Sequence, residues 1–342
     1  MRILIVGSDK IYSIENYYVK YFSAAGWRVS KFLAPNMFYD YYQTSLFNRL
    51  AFRASISPIY KQINDRFKQT VEDEKPDLIW VFKGMEILPE SLAWVQRKKI
   101  RLVNYNPDNP FLFSGRGSGN KNISNAIGLY DLHFTYNLEV KQKLEIEFKT
   151  STYFLPFGFE IDEALYDHCK MLPEIIEPCF LGNPDSFRSI FITKLADAGI
   201  TINVFGHDWR KFINHPRVKV QDAVYGINQW EVLRRYRIQL NLMRPHNLNS
   251  HNMRTFEVPA IGGIMLAPDT PEHRSFFRHT EEIFLFTEFD NCLQEIEVIL
   301  KMSQQQVDEI RNAARRRSIT SGYSYQARAM EVMTKLNQLI KG

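Results

Sequence analysis

Asn247-Leu-Asn-Ser-His-Asn-Met-Arg-Thr-Phe-Glu-Val-Pro-Ala-Ile-Gly-Gly-Ile-Met-Leu-Ala-Pro268 decides how this 342-residue chain folds. Asn249, Ser250 and Asn252 are good helix N-caps, because a short side-chain oxygen can accept from the free N–H groups of a first turn. Arg254 and Glu257 lie three apart and share a helix face. Gly262-Gly263 ends the helix, since glycine enters the left-handed region without a Cβ clash. Residues 264–267 are then an apolar run of strand length. Pro259 falls inside the helix and removes one hydrogen bond, so the helix starts late or kinks.

Loop, short helix, double glycine and buried strand put a helix N-terminus, one cation and one carboxylate at one spot. That set suits a nucleoside diphosphate sugar. Free N–H groups and the helix dipole attract phosphate. Arg254 adds a bidentate charged contact, and Glu257 accepts from ribose hydroxyls. An Arg–Glu pair on an ordinary solvated helix fits the same spacing.

Further pieces keep a consistent order along the chain: Phe180-Leu-Gly182, Phe205-Gly-His-Asp-Trp209, Leu240-Asn-Leu242 and Tyr323-Ser-Tyr-Gln-Ala-Arg328. Together with Arg254-Thr-Phe-Glu257 and Gly262-Gly263 they resemble the nucleotide-sugar half of GT-B glycosyltransferases, and within these the CgeB-like group named after spore maturation proteins. The resemblance implies an α/β protein of GT-B type, two Rossmann-like doubly wound domains facing a central cleft, with donor in the second and acceptor in the first. It implies Arg188 and Arg254 as the diphosphate clamp and Glu257 as the ribose acceptor. Phe205 to Trp209, with Gly206 among them, then lie near the base, and Asn249, Ser250 and Asn252 at the sugar end. No metal or other cofactor is expected, since Arg, Lys and helix dipoles offset the leaving diphosphate. Many such enzymes carry a Glu-x7-Glu pair; here the first position is Asn249, which puts any role of that first carboxylate in doubt.

The chain exceeds the usual size of one core, so two domains are expected: residues 1–158, with a terminal helix 325–340 crossing back onto them, and residues 178–322, with 159–177 as a link. Hydrophobic content of 45% and charged content of 24% are ordinary for a globular protein. No window approaches 18 uncharged apolar residues. The first residues read as a strand and not as a signal peptide. Cys169, Cys179 and Cys292 show no metal spacing and read as buried free thiols, which suggests a cytoplasmic location. His246 and His251 are five apart, off a shared helical face, and no Asp-x-Asp pair occurs, so no metal site is expected.

Strands are expected at 3–6, 27–33, 77–82, 101–105, 132–136 and 152–155, then at 179–182, 202–205, 218–220, 238–242, 264–267 and 283–286, alternating with helices. Gly7 and Ser8 end the first strand, where parallel sheets bind ligands, but no GxGxxG follows. Lys83 ends another strand. Asn106-Pro-Asp108-Asn-Pro110 is a stiff turn at a strand end. The Gly-rich loop 113–120 carries Arg116 and reads either as a mobile cover or as a connector. Arg188 sits in a first helical turn, against the dipole, as suits a helix end facing phosphate. The run Arg315-Arg-Arg317 reads as a solvated face or as partner of a helix C-terminus.

Residues 28–68 hold seven cations and two carboxylates, a surplus as large as the chain's whole net charge of +5, with aromatics interleaved. Three readings stay open for them: helices with aromatics in the core, an acceptor-binding face, or a patch peripheral to an acidic inner-membrane surface. Asp108 is the first candidate base, with His133 and Asp9 behind it; as a turn-capping residue Asp108 fits equally well. Gly7, Ser8, Lys83 and Arg116 are acceptor-side candidates. The expected partners are a nucleotide sugar and a glycan, protein or lipid-linked acceptor; nucleic acid is not among them. The alternatives to a glycosyltransferase are a sugar-nucleotide epimerase of the same fold and a binding or surface-assembly protein without turnover.

Overall fold

Most strands of this chain are apolar on both faces and each is followed by a helix, the pattern of a parallel sheet covered on two sides. The computed structural model describes residues 1–54, 56–113 and 118–341. It resolves the pattern into two units, Met1–Pro156 with Tyr325–Gly342, and Phe157–Ser324.

The first unit holds β1 (Arg2–Val6), β2 (Arg28–Phe32), β3 (Leu78–Phe82), β4 (Arg101–Asn106), β5 (Leu132–Thr135) and β6 (Thr152–Phe154). Its strands are parallel in the order β2-β1-β3-β4-β5-β6. One face sets Leu4, Val6, Ile79 and Val81 against Ile63, Phe67 and Val71 of helix Ile59–Glu74. The other is aromatic: Trp80 meets Tyr18 and Phe22 of helix Glu15–Ala24, and Phe134 of β5. Helix Tyr325–Lys341 packs here too. It buries Tyr325, Ala329, Val332 and Leu336, a stripe at helical spacing. Tyr325 stacks on Tyr17 with ring centroids 4.4 Å apart, and the Tyr153 hydroxyl donates to Glu331 at 2.6 Å.

The second unit holds β7 (Ile175–Leu181), β8 (Ile202–Phe205), β9 (Val218–Gln221), β10 (Tyr236–Leu240), β11 (Met265–Pro268) and β12 (Phe284–Phe286), parallel in the order β12-β11-β10-β7-β8-β9. Segment 159–177 is not a link. It lies inside this unit, with a helix at Glu163–Lys170 that buries Cys169, and with the start of β7. Cys169, Cys179 and Cys292 are buried and unpaired.

The arginine run is a solvated face only in part: Arg316 is exposed, but its neighbours are engaged with the fold. Arg315 is buried and donates to the Ala260 carbonyl at 2.7 Å, at the end of helix Arg254–Ala260, where carbonyls lack partners of their own. Arg317 donates to the Phe276 carbonyl. Among the described residues no helix is long and apolar enough to cross a membrane.

Candidate active site

In the second sheet the strand order reverses between β10 and β7, and crevices form at such switch points beyond the carboxyl ends of the strands. The loops that follow β7, β8 and β10 carry the polar groups of this end. Asp185 caps helix Ser186–Asp197 by accepting from the Arg188 N–H at 2.9 Å.

Arg188 itself is buried. Its Nε and Nη2 donate to the Leu242 carbonyl at 3.1 and 2.8 Å, and its Nη1 to the Asn183 carbonyl at 3.2 Å. The guanidinium lies over the Phe180 ring, 5.3 Å from its centroid. A cation in a first turn therefore has a structural reason after all: it laces the loop after β7 to the loop after β10. Three of its five N–H donors are committed to backbone. Burial pushes its pKa down to about 10, with Asp185 opposing the drop and the nearby Arg244 charge adding to it. The group stays charged at neutral pH.

The turn after β8 is pinned to the same place. A Cβ on Gly206 would meet the Gly182 carbonyl oxygen at 2.3 Å, so only glycine fits. The Trp209 indole N–H donates to that oxygen at 2.8 Å, and the His207 N–H to Asn183 Oδ1 at 3.0 Å.

Helix Arg254–Ala260 is seven residues long and starts late, with Pro259 near its end and Gly262 in the left-handed region at φ 74°. Neither Asn249 nor Ser250 caps it. The nearest cap is Asn252, whose Oδ1 accepts from the Thr255 N–H at 3.3 Å. Arg254 Nη1 binds Glu257 Oε2. The pair is not a solvated one, since the Glu257 side chain is only 6% exposed. The second carboxylate oxygen of Glu257 has no partner among the described residues.

Ser250, expected at the sugar end, is buried and donates to Glu272 at 2.6 Å. Asn252 donates to Asn241 Oδ1 at 2.7 Å. Both side chains hold the loop in shape, while Asn249 stands exposed in the same loop. A buried polar chain underlies it. The Phe157 N–H meets His251 Nε2 at 3.4 Å, which leaves Nδ1 to donate to Glu272 at 2.5 Å. His273 Nδ1 donates to the Pro268 carbonyl at 2.8 Å, so its Nε2 accepts from Thr255 Oγ1 at 3.0 Å. Burial holds the His273 pKa down at about 4.

In the first unit, Gly7 and Ser8 end β1, but their turn is already filled. The buried Glu15 carboxylate accepts from the Ser8 N–H at 3.0 Å, and a Cβ on Gly7 would meet it at 2.7 Å. The N–H that would greet an anionic ligand thus has a carboxylate of its own, whose pKa burial raises and the Ser8 N–H lowers. Asp9 is exposed and accepts from Asn36 at 2.6 Å.

Lys83 and Asp108 form one ion pair, Nζ to Oδ2 at 2.5 Å. Lys83 also lines a pocket with His133, so three of the candidates gather at the ends of β3, β4 and β5. His133 is buried, its Nε2 facing the Ile127 carbonyl at 2.8 Å, and burial lowers its pKa to about 4. A ring that weakly basic suits hydrogen-bond acceptance better than proton abstraction at neutral pH. Arg116 and the middle of its Gly-rich loop lie outside the described residues.

Two groups escaped the sequence reading. Arg244 sits just beyond β10, and the rule that ligands meet strand carboxyl ends points to it once that strand is drawn. Asn106 precedes the Pro-Asp108 turn and carries a buried amide nitrogen with no partner among the described residues. Its burial follows from the sheet and leaves no mark in the sequence.

Two parallel six-stranded sheets with flanking helices make this a GT-B fold. Residues 188–334 match the family model described as Glycosyl transferase-like. HepE from Anabaena, solved in complex with UDP-glucose, superposes with a TM-score of 0.67 at 14% identity, over 99% of this chain and 100% of that one. Sucrose-phosphate synthase from Thermosynechococcus elongatus gives 0.71 at 12% identity, over 100% and 99%. A protein described as a UDP-N-acetylglucosamine 2-epimerase, from Listeria monocytogenes, gives 0.59 at 10% identity, over 99% and 96%. At such identities the likeness concerns the fold. No curated protein matches the chain.

Proposed function

We propose that this protein is a glycosyltransferase of the CgeB-like kind, moving a sugar from a nucleoside diphosphate to an acceptor hydroxyl on a glycan, a protein or a lipid-linked molecule, without a metal ion. The observation that carries this is the second unit's switch point, where Arg188, at the start of the helix after β7, is held on the Leu242 carbonyl of the loop after β10, two residues before Arg244. The Arg254–Glu257 pair lies on the helix that follows this loop. Cations there offset the diphosphate, and a carboxylate one turn on from Arg254 accepts from ribose. The match of residues 188–334 to a glycosyltransferase-like model supports the same reading. Arg188 acts mainly by positioning two loops, leaving direct contact with phosphate to Arg254 and Arg244.

Arg254→Ala is expected to weaken UDP or GDP binding by about 1.5–3 kcal/mol, the worth of a charged hydrogen bond. Arg188→Ala is expected to weaken it too and to lower the melting temperature, because it leaves the Leu242 and Asn183 carbonyls unpaired. Unchanged nucleotide affinity in both variants, measured by calorimetry, overturns the donor site. Incubation with a panel of sugar nucleotides, scored for transfer, hydrolysis and epimerisation, separates this reading from an epimerase and from a binding protein. Turnover that persists in a chelator tests metal independence.

The same proposal includes peripheral contact with an acidic membrane surface at the cytoplasmic side. Helices Ala34–Thr44 and Leu46–Arg53 send Phe38 and Phe52 inward onto the core. Leu46 and Phe47, each 73% exposed, and Leu50 point outward beside Arg49 and Arg53. Apolar side chains with flanking cations suit an anionic lipid interface. Co-sedimentation with phosphatidylglycerol vesicles is expected at low salt and should fall as salt rises, because exposed charges are screened beyond about 10 Å at 0.1 M. No sedimentation at low salt removes the membrane contact and leaves the transfer reaction untouched.

A further inference from the structure

Strands covered on both sides are usually apolar on both faces, and β4 and β5 depart from this on one face. Asn104 and Asn106 alternate with Val103 and Tyr105, and His133 and Thr135 with Leu132 and Phe134. The register pairs Asn104 with His133 and Asn106 with Thr135. Four polar side chains therefore stand side by side, none more than 5% exposed.

Most of their polar atoms are satisfied within the chain. Asn104 donates to the carbonyls of Val81 and Lys83 at 3.0 and 3.4 Å. Thr135 accepts from the Asn137 N–H at 3.3 Å. Asn106 differs. Its Oδ1 accepts from the Asp108 N–H at 3.0 Å, yet its Nδ2 has no partner among the described residues. An unmatched buried donor costs free energy unless something accepts from it.

These residues line the pocket at the carboxyl ends of β3, β4 and β5, walled otherwise by Pro110, Ile123, Ile127, Phe134, Val140 and Leu144. His133 supplies the complementary group. Its Nε2 faces a carbonyl, which only accepts, so the proton is there and the lone pair is on Nδ1. The Lys83 charge at the rim is matched by Asp108.

We infer that this pocket binds a hydroxyl group of an uncharged polyhydroxy ligand, which accepts from Asn106 Nδ2 and donates to His133 Nδ1. A hydroxyl does both at once. A carboxylate has no proton for His133, and an ammonium has no lone pair for Asn106. The pocket is small, so the hydroxyl alone enters it and the carbon skeleton stays at its mouth. The step rests on the glycosyltransferase reading, within which the ligand is the acceptor sugar or polyol, held by a hydroxyl other than the one that reacts.

The test titrates the full chain with methyl glucoside and with glycerol, with acetate and methylammonium as charged controls, following the ring nitrogens of His133 by NMR and heat by calorimetry. The neutral probes should shift the Nδ1 signal while the ring stays unprotonated, and the charged ones should not. Asn106→Asp keeps the oxygen that accepts from the Asp108 N–H and replaces the donor by an acceptor. It should weaken methyl glucoside binding about tenfold or more. Binding unchanged in Asn106→Asp, or no Nδ1 shift in the parent protein at saturating glucoside, overturns the site. The NMR arm needs no variant to fold. UDP titrated into the same sample reports on the donor site separately, so loss of one reading is distinguishable from loss of the other.

Discussion

Asp108→Asn is expected to lower kcat by about 10²–10⁴-fold, the usual worth of a general base, with the donor KM little changed. Asp108 stands in a turn bracketed by Pro107 and Pro110, its N–H tied to Asn106 and its carboxylate to Lys83 at 2.5 Å. A stiff turn at a strand end fixes the position of the group. Asparagine keeps the shape and the turn but takes no proton. Glu257→Gln, assayed beside it, is expected to raise the donor KM and spare kcat, because that carboxylate pairs with Arg254 and its open oxygen suits a ribose hydroxyl. A collapse of kcat in Glu257→Gln at unchanged donor affinity reverses the assignment. A normal kcat in Asp108→Asn removes Asp108 and turns attention to Asp9, since His133 is too weak a base at neutral pH.

Acid should destabilise the second unit well before the first. His273 is held at about 4 by burial, against 6.5 for an ordinary histidine. Below pH 6.5 the unfolded chain takes up a proton that the folded one refuses until about pH 4, so stability falls across that window and then levels off. The full loss is about 3 kcal/mol. His133 acts with the same sign and a similar size in the first unit. There, however, burial raises Glu86 from 4.5 to about 7. Glu86 binds its proton in the folded state first, so it adds stability as pH falls from 7 to 4.5 and offsets most of the His133 loss. Hydrogen exchange between pH 7 and 4.5 should therefore show the strands of the second unit losing protection first. His273→Gln is expected to flatten that dependence, and Glu86→Gln to expose an acid loss in the first unit. Equal loss of protection in both units of the unmodified protein would rule out the compensation.

Much of the architecture is legible in order along the chain. Apolar runs such as residues 78–82 and 202–205 become strands at those positions, and Gly262 ends its helix with positive φ. These features depend on periodicity and backbone freedom, which a residue carries wherever it is placed. The helix at the end of the chain shows its apolar stripe in sequence as well, but its seat among Tyr17, Tyr18 and Tyr153 depends on which aromatic face the first sheet presents.

The candidate site divides along the same line. Arg254 and Glu257 are readable as a pair because three residues of helix fix their distance. Arg188 looked like a free phosphate ligand because its partners, Leu242 and Asn183, are carbonyls brought to it by strand order, and every residue type carries a carbonyl. Gly7 and Ser8 looked like an open ligand turn on the acceptor side for want of knowing that Glu15 folds back into it. Asn106 and His133 lie 27 positions apart and line one pocket only through the register of β4 on β5. Sequence alone determined most of the strands and which charged groups share a helix face, though not the helix Glu163–Lys170. Which polar groups are already satisfied, and which are left facing a pocket, was decided by tertiary structure, because a hydrogen bond depends on distance in space and most of the partners here are distant in sequence.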